Sequence, residues 1–95
     1  MVRIYKRKNY NIYSAGKGSN AYIVYNTLLP FDKGHTHLSN YNTAKFVIGM
    51  AINKLVPSTR INVYLVDSII RISDDKNYID RLIEFKERKF VHKNG

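Results

Sequence analysis

The segment at residues 44–55 constrains the fold of this chain most strongly. Its apolar residues recur at spacings of three and four, which is the period of a helix that buries one side. Phe46 and Met50 widen this apolar side, so the helix needs a hydrophobic core to pack against. Pro57 cannot continue a helix, because it lacks a backbone N–H and its ring clashes with the preceding turn. The sequence therefore predicts a core helix over residues 40–56.

The first 27 residues have the composition of β-structure. Two stretches rich in Tyr, Ile and Val, residues 3–13 and 21–26, flank the loop sequence SAGKGSN. Aromatic and β-branched residues favour strands, and a loop of this composition favours a chain reversal. We therefore predict a basic β-hairpin over residues 1–27, with residues 3–13 as one strand. Alternate residues of a strand point to the same face, so one face of that strand is expected to carry Arg3, Tyr5, Arg7, Asn9, Asn11 and Tyr13. A break near Asn9 would shift the register by one residue and exchange the two faces beyond it.

The last third of the chain predicts helices. Residues 61–72 fit both an alternating strand and a helical stripe, and we favour the helix. A further helix is predicted over residues 73–90, because Ser73 is a suitable N-cap and two aspartates follow it at the positive end of the helix dipole. These elements together predict one α+β domain over residues 1–95. In it, an N-terminal antiparallel β-hairpin or small sheet packs on two to three helices.

The net charge of +9 indicates a polyanionic partner. Residues 1–27 contain five basic residues and no acidic residue, so the positive field belongs mainly to the predicted hairpin. Basic side chains neutralise phosphates, and tyrosine rings can stack on unpaired bases. The predicted nucleic-acid-binding residues are Arg3, Tyr5, Lys6, Arg7, Lys8, Tyr13 and Lys17, with Tyr5 and Tyr13 as the stacking platforms.

Three functions remain open from the sequence. The first is RNA or DNA binding by a small accessory protein. The second is inhibition of a host nucleic-acid-handling or defence complex, whose nucleic-acid surface the basic face would occupy. The third is metal-independent cleavage of RNA. The partner is thus expected to be nucleic acid or a nucleic-acid-binding protein complex, and a homodimer is left open. The structural alternative is that the tyrosines only cover the core, since tyrosine is a favoured strand residue.

Cysteine usage and hydropathy indicate the setting of the protein. The chain contains no cysteine, which excludes disulfides and thiolate zinc sites and favours a reducing, cytoplasmic environment. Its longest mostly apolar run, residues 46–52, is far shorter than the roughly 20 residues that cross a bilayer. We therefore expect no membrane association, and nothing in the sequence predicts a cofactor.

Two histidines stand one residue apart in KGHTHLS, at residues 33–39. Residues two apart on an extended chain point the same way, so His35 and His37 could bind a transition metal, but a third ligand is lacking. Alternatively, either imidazole could transfer protons in the cleavage of RNA. We favour a third interpretation, in which Gly34 forms a turn and the imidazoles bond to loop carbonyls. We therefore predict no metal site and make no catalytic assignment.

The strings PFDKGHTHLSNYNTAKF and RISDDKNYIDRL occur in a chain that uses Asn, Lys, Ile and Tyr heavily. In this the chain resembles short uncharacterised proteins of phages and mobile elements of low-GC bacteria. The resemblance implies a genetic context and no particular activity. Such elements encode nucleic-acid-binding accessory proteins and inhibitors of host defence, including anti-CRISPR proteins.

Overall fold

In the part of the chain that the structure describes, four antiparallel strands form a single sheet in the order β1-β2-β3-β4, and three α-helices follow them. The structure is a computed structural model, and it describes residues 1–57 and 61–91. The strands are β1 (Val2–Arg7), β2 (Tyr10–Ser14), β3 (Tyr22–Asn26) and β4 (His35–Leu38). The helices are α1 (Tyr41–Asn53), α2 (Val63–Ile72) and α3 (Lys76–Lys86), and α3 continues into a π-helical turn (Glu87–Val91). The predicted α+β class is confirmed.

The predicted single strand over residues 3–13 is wrong, because the chain reverses at Lys8 and Asn9. Lys8 adopts a left-handed conformation with φ of 55°, and β1 and β2 pair across this turn. Contacts to β3 hold the turn: the Thr27 amide donates to the Asn9 carbonyl at 2.8 Å, and Asn9 Nδ2 donates to Asn26 Oδ1 at 2.7 Å. The reversal therefore depends on long-range hydrogen bonds and not on a glycine. A bulge between Arg3 and Tyr5 further changes the register.

The interpretation of residues 33–39 as a structured turn is also wrong, since His35–Leu38 forms β4 and pairs with β3. Thr36 points into the core, where its Oγ1 lies 2.9 Å from Ser68 Oγ on α2. Gly34 permits the close approach that starts this strand, because a Cβ there would lie 2.7 Å from Leu29 Cβ. The side chains of this stretch thus alternate as in a strand, with Thr36 on the buried face and the two histidines on the other.

The predicted core helix over residues 40–56 corresponds to α1, and its ends are set by side chains. Asn40 is the N-cap and accepts a hydrogen bond from the Thr43 amide at 3.0 Å. At the other end, the Tyr78 hydroxyl lies 3.1 Å from the Met50 carbonyl and 2.7 Å from the Leu55 carbonyl. Burial raises the pKa of Tyr78, so its hydroxyl keeps the proton that it donates. The C-terminal end of α1 is therefore fastened to α3.

The helix that we favoured for residues 61–72 is confirmed as α2, which starts after the N-cap Asn62. The C-terminal helix predicted over residues 73–90 begins later than expected. Its N-cap is Asp75, whose Oδ1 accepts from the Asn77 amide at 2.9 Å. Ser73 instead donates its hydroxyl to the Ile69 carbonyl at 2.6 Å and so ends α2. The stronger acceptor, a carboxylate, takes the N-cap position.

All three helices pack on one face of the sheet. The fully buried core residues come from both layers, and α1 and α2 contribute most of the helical share. The members with no exposed surface are Ile12, Val24, Ala44, Val47, Ile48, Ile69, Ile72 and Leu82, together with Val66 beside them. Among the described residues, none of α1, α2 and α3 packs on the opposite face of the sheet. This open face is where the candidate site lies.

Asn26 joins the sheet to the link between α2 and α3. Its side chain has no exposed surface, and its amide makes four hydrogen bonds. Nδ2 donates to the Ile72 carbonyl at 2.9 Å and to Asp74 Oδ2 at 2.8 Å. Oδ1 accepts from Asn9 Nδ2 at 2.7 Å and from the Leu28 amide at 2.9 Å. A fully bonded buried amide of this kind holds three segments in one arrangement.

Replacement of Asn26 should destabilise the whole domain. We expect Asn26→Ala to lower the free energy of unfolding by about 2–4 kcal/mol, since it leaves the buried Ile72 carbonyl without this partner and removes three further hydrogen bonds. Urea denaturation measures this. Asn53→Ala is the matched control, because Asn53 is exposed and bonds to the Gly49 carbonyl of its own helix. The control should lose less than about 1 kcal/mol. Equal losses in the two variants would contradict the assigned role of Asn26.

Candidate nucleic-acid interface

The open face of the sheet carries two rows of side chains that run across all four strands. Residues paired in register lie side by side on one face, so each row contains one residue from each strand. Row one, from β1 to β4, is Arg3, Tyr13, Ile23 and His37. Row two, in the same direction, is Lys6, Asn11, Tyr25 and His35. Each row therefore passes from a cation through the centre of the sheet to an imidazole.

The charged side chains in the two rows of the open face are positive and lie at its β1 side. Arg3 and Lys6 are both exposed at the β1 side, and none of the four strands contains an acidic residue. Six of the seven acidic residues lie at residues 67–87, in and around the helices that pack on the opposite face. The seventh is Asp32, in the loop before β4. This separation gives the open face a field that attracts polyanions.

Aromatic rings occupy the centre and the β4 side of the open face. Tyr13 and Tyr25 are half-buried, so each ring keeps exposed surface. The Tyr25 hydroxyl donates to the Leu29 carbonyl at 2.5 Å, which fixes the ring over the β3–β4 loop. Phe31 from that loop contacts Tyr25 edge-to-face at 5.2 Å and stacks on His35, with ring centroids 4.2 Å apart and planes 6° from parallel. The rings of Tyr25, Phe31 and His35 therefore form one contacting set at the β4 side of the face.

The centre of row two contains a buried polar side chain. Asn11 is only 5% exposed, and its Nδ2 donates to the Tyr13 hydroxyl at 3.3 Å. Ile23 in row one is 6% exposed and provides an apolar floor between Tyr13 and His37. The centre of the open face thus contains one apolar side chain, Ile23, and one polar side chain, Asn11, beside the tyrosine rings.

The two histidines end the rows on β4. His35 Nδ1 donates to the Phe31 carbonyl, which confirms the expectation that an imidazole bonds to a loop carbonyl. His37 is exposed and contacts His35 edge-to-face at 5.1 Å. The pKa of His37 is lowered below the ordinary value of 6.5, mainly by partial burial and to a smaller extent by the charges of His35 and Arg71. His37 is therefore neutral at neutral pH.

Arg71 links this side of the sheet to α2. Its Nε donates to the His35 carbonyl at 3.1 Å. Within residues 1–57 and 61–91, no group of three or more His, Asp, Glu or Cys residues could hold a metal ion. The prediction of no metal site remains a prediction.

The sequence-predicted binding residues separate into two groups in the structure. Arg3, Lys6 and Tyr13 share the open face, whereas Tyr5 and Arg7 lie on the face that packs on helices. The Tyr5 ring contacts Tyr41 of α1 edge-to-face at 6.3 Å, and the Arg7 guanidinium lies near Gly49 of the same helix. The expectation that Tyr5 and Tyr13 share one face is therefore wrong. The remaining two residues, Lys8 and Lys17, lie in the β1–β2 turn and the β2–β3 loop.

Sequence reasoning missed several residues of the open face. Tyr25 and Ile23 alternate with the buried Val24 on β3, and this alternation would have placed them opposite the core. No sequence pattern predicted that Phe31 lies on the open face, because this residue belongs to a loop and not to a strand with a regular alternation. Asn11 was assigned to one face with Arg3 and Tyr13, as the structure has it, although its partners could not be inferred.

A scan against protein-family models, a search of curated proteins and a search of solved structures each found no match to this chain. Among the described residues, no helix is long and apolar enough to cross a membrane. The function is therefore inferred from the open face itself.

The lowered pKa of His37 is directly measurable. We expect an NMR titration to place it below 6.5, and His35→Gln should raise it by removing one of the charges that oppose protonation. Because the unfolded chain binds this proton more tightly than the folded chain, the His37 contribution to stability is present above the unfolded pKa. That contribution is lost as pH falls through the lowered pKa. Tyr64→Leu, on the exposed side of α2, is the control and should leave the titration unchanged. A His37 pKa above 6.5 would contradict this description.

Proposed function

We propose that the protein binds single-stranded nucleic acid on the open face of its sheet. The observation that carries this proposal is the pair of rows that lead from Arg3 and Lys6 through Tyr13 and Tyr25 to the histidines. Phosphates would contact the two cations, and bases would stack on the rings. The absence of acidic residues from all four strands removes the repulsion that would oppose a polyanion there.

The shape of the face favours a single strand over a duplex. Bases in a duplex are already stacked and paired, whereas the exposed rings of Tyr13 and Tyr25 can stack only on bases that are free. Four strands at about 4.8 Å spacing give a surface about 14 Å across, and aromatic side chains on a four-stranded sheet can stack two or three bases. A short segment of RNA or DNA therefore matches the size of the site.

The cations beside the rings would supply most of the affinity. Lys8 follows β1 in the first turn, and Lys17 lies in the β2–β3 loop, so the sheet ends carry positive charge as well. Two of the helix-side cations are already paired, Lys54 with Asp75 at 2.7 Å and Lys76 with Asp80 at 2.8 Å. Arg3 and Lys6 thus differ from these lysines in being on a face without acids.

The salt dependence of binding tests the phosphate contacts. We expect Arg3→Gln with Lys6→Gln to weaken binding of a short single-stranded oligonucleotide. The slope of log K against log salt should fall by about 1.4, because each phosphate that a cation neutralises on a single strand adds about 0.7 to the slope. Fluorescence anisotropy over a salt series measures both effects. The control is Lys54→Gln with Lys76→Gln, which makes the same charge change on the helix side and should leave the slope nearly unchanged. Absence of binding by the unmodified protein at low salt would contradict the proposal.

A tyrosine substitution tests the stacking contacts. Tyr13→Leu should lower affinity by roughly 5- to 150-fold, because stacking of one base on an aromatic ring contributes about 1–3 kcal/mol. The matched control is Tyr64→Leu, which removes a tyrosine that is 78% exposed on α2. Anisotropy with the same oligonucleotide compares the two variants, and circular dichroism checks the fold. Equal losses in Tyr13→Leu and Tyr64→Leu would place the ligand elsewhere.

A second candidate function is metal-independent cleavage of RNA, and the state of His37 favours it. An exposed imidazole that is neutral at neutral pH can accept the 2′-hydroxyl proton as the 2′-oxygen bonds to the adjacent phosphorus, and the His35 ring lies beside it with centroids 5.1 Å apart. The bond from phosphorus to the 5′-oxygen then breaks, and the leaving 5′-oxygen takes a proton from water. The test is turnover of a single-stranded RNA and of the DNA of the same sequence. Cleavage of RNA alone that is abolished in His37→Gln supports this function, and unchanged turnover in that variant removes it.

A further inference from the structure

Asn11 has a buried hydrogen-bond acceptor that nothing in the described part of the protein uses. Its Oδ1 is the one buried side-chain nitrogen or oxygen without a hydrogen-bond partner among the described residues. The Nδ2 of the same amide is already engaged with the Tyr13 hydroxyl. Buried polar groups are normally paired, because an unpaired one costs free energy on folding. An orphaned acceptor at the centre of a candidate binding face therefore indicates a group that arrives with the ligand.

The position of Asn11 narrows what that group can be. Asn11 pairs directly with Tyr25 across the β2–β3 ladder, and Tyr13 follows two residues later on the same face. Lys6 is its partner on the other side, at the β1 edge. The acceptor thus lies between two rings that can stack on a base, beside a cation that can contact the phosphate of the same nucleotide. An amide in such a place can read the edge of a stacked base.

We propose that Asn11 Oδ1 accepts a hydrogen bond from an N–H group on the edge of an unpaired base that stacks on the open face. This inference rests on the proposed function. It adds a specificity, because the site would prefer a base that carries a hydrogen-bond donor. The acceptor is unpaired and almost closed to solvent in the free protein, so the side chains that cover it must part for the base to bond to it in the complex. Binding would therefore regain free energy that the fold gives up at Asn11.

A base without N–H groups tests this directly. We compare a short adenosine oligonucleotide with the same oligonucleotide built from N6,N6-dimethyladenosine, which keeps the ring and phosphates and lacks an N–H donor on the base. The unmodified protein should bind the dimethyl form more weakly by about fivefold, the value of one ordinary hydrogen bond. Asn11→Leu should bind both oligonucleotides with equal affinity. Asn11→Val, with a side chain suited to a strand, serves as the second variant if the fold does not accommodate the leucine side chain.

Thermal unfolding of the free proteins provides an independent readout. Asn11→Leu removes an unpaired buried acceptor, so its midpoint should equal or exceed that of the unmodified protein. Asn26→Ala should lower the midpoint, because that amide is fully bonded. A lower midpoint in both Asn11→Leu and Asn11→Val would show that the acceptor is already satisfied in the free protein and would overturn the inference.

The outcomes of the binding experiment separate the two proposals. Equal affinity of the unmodified protein for the two oligonucleotides overturns the role of Asn11 and leaves the proposed function standing. Binding of neither oligonucleotide at low salt overturns both. A change from dimer to monomer in Asn11→Leu, measured by sedimentation, would identify a second copy of the chain as the occupant of this face and would also overturn the inference. A preference for adenosine that disappears in the Asn11 variants supports it.

Discussion

The arrangement of the sheet on the helices depends on the buried amide of Asn26. This one side chain bonds to the first turn through Asn9, to the start of the β3–β4 loop through Leu28, and to the α2–α3 link through Ile72 and Asp74. Hydrophobic burial has no direction of its own, whereas hydrogen bonds require defined positions of donor and acceptor. The four bonds of Asn26 therefore add to the packing of the core in specifying where the sheet lies against the α2–α3 link.

Alternation along β2 then divides the protein into a structural side and a candidate binding side. Tyr10 and Ile12 enter the core, while Asn11 and Tyr13 face away from the helices. The acidic residues follow the same division, since six of the seven belong to the helical part of the chain. Antiparallel sheets commonly leave one face to solvent. In this protein that face combines exposed cations, aromatic rings and one unpaired acceptor.

The sequence allowed the helices to be predicted better than the strands, for physical reasons. The apolar period of α1 extends over several turns, so it is visible without knowledge of the rest of the chain. The reversal at Lys8 contains no glycine and is held by bonds to β3, which no local pattern records. β4 has only four residues, two of them histidines, and its composition resembles a loop. Charge and composition were enough to propose Arg3, Lys6 and Tyr13 as binding residues. That Tyr5 and Tyr13 lie on opposite faces of the sheet follows only from the observed pairing of β1 with β2.

The bond from Arg71 to the His35 carbonyl limits how the β4 edge of the sheet can be extended. That carbonyl belongs to the β4 edge of the sheet, where an unpaired strand could otherwise recruit a fifth strand from another chain. Arg71, which extends from α2, occupies one of the carbonyl groups to which a fifth strand would bond. At the other edge of the sheet, the basic residues of β1 disfavour pairing with another strand by charge repulsion. The Arg71 bond closes one group of the β4 edge to pairing with another strand. Under the proposed function, the four-strand width of the sheet would set an upper limit on the number of nucleotides that one copy of the protein covers, so that longer single strands would be occupied by several copies side by side.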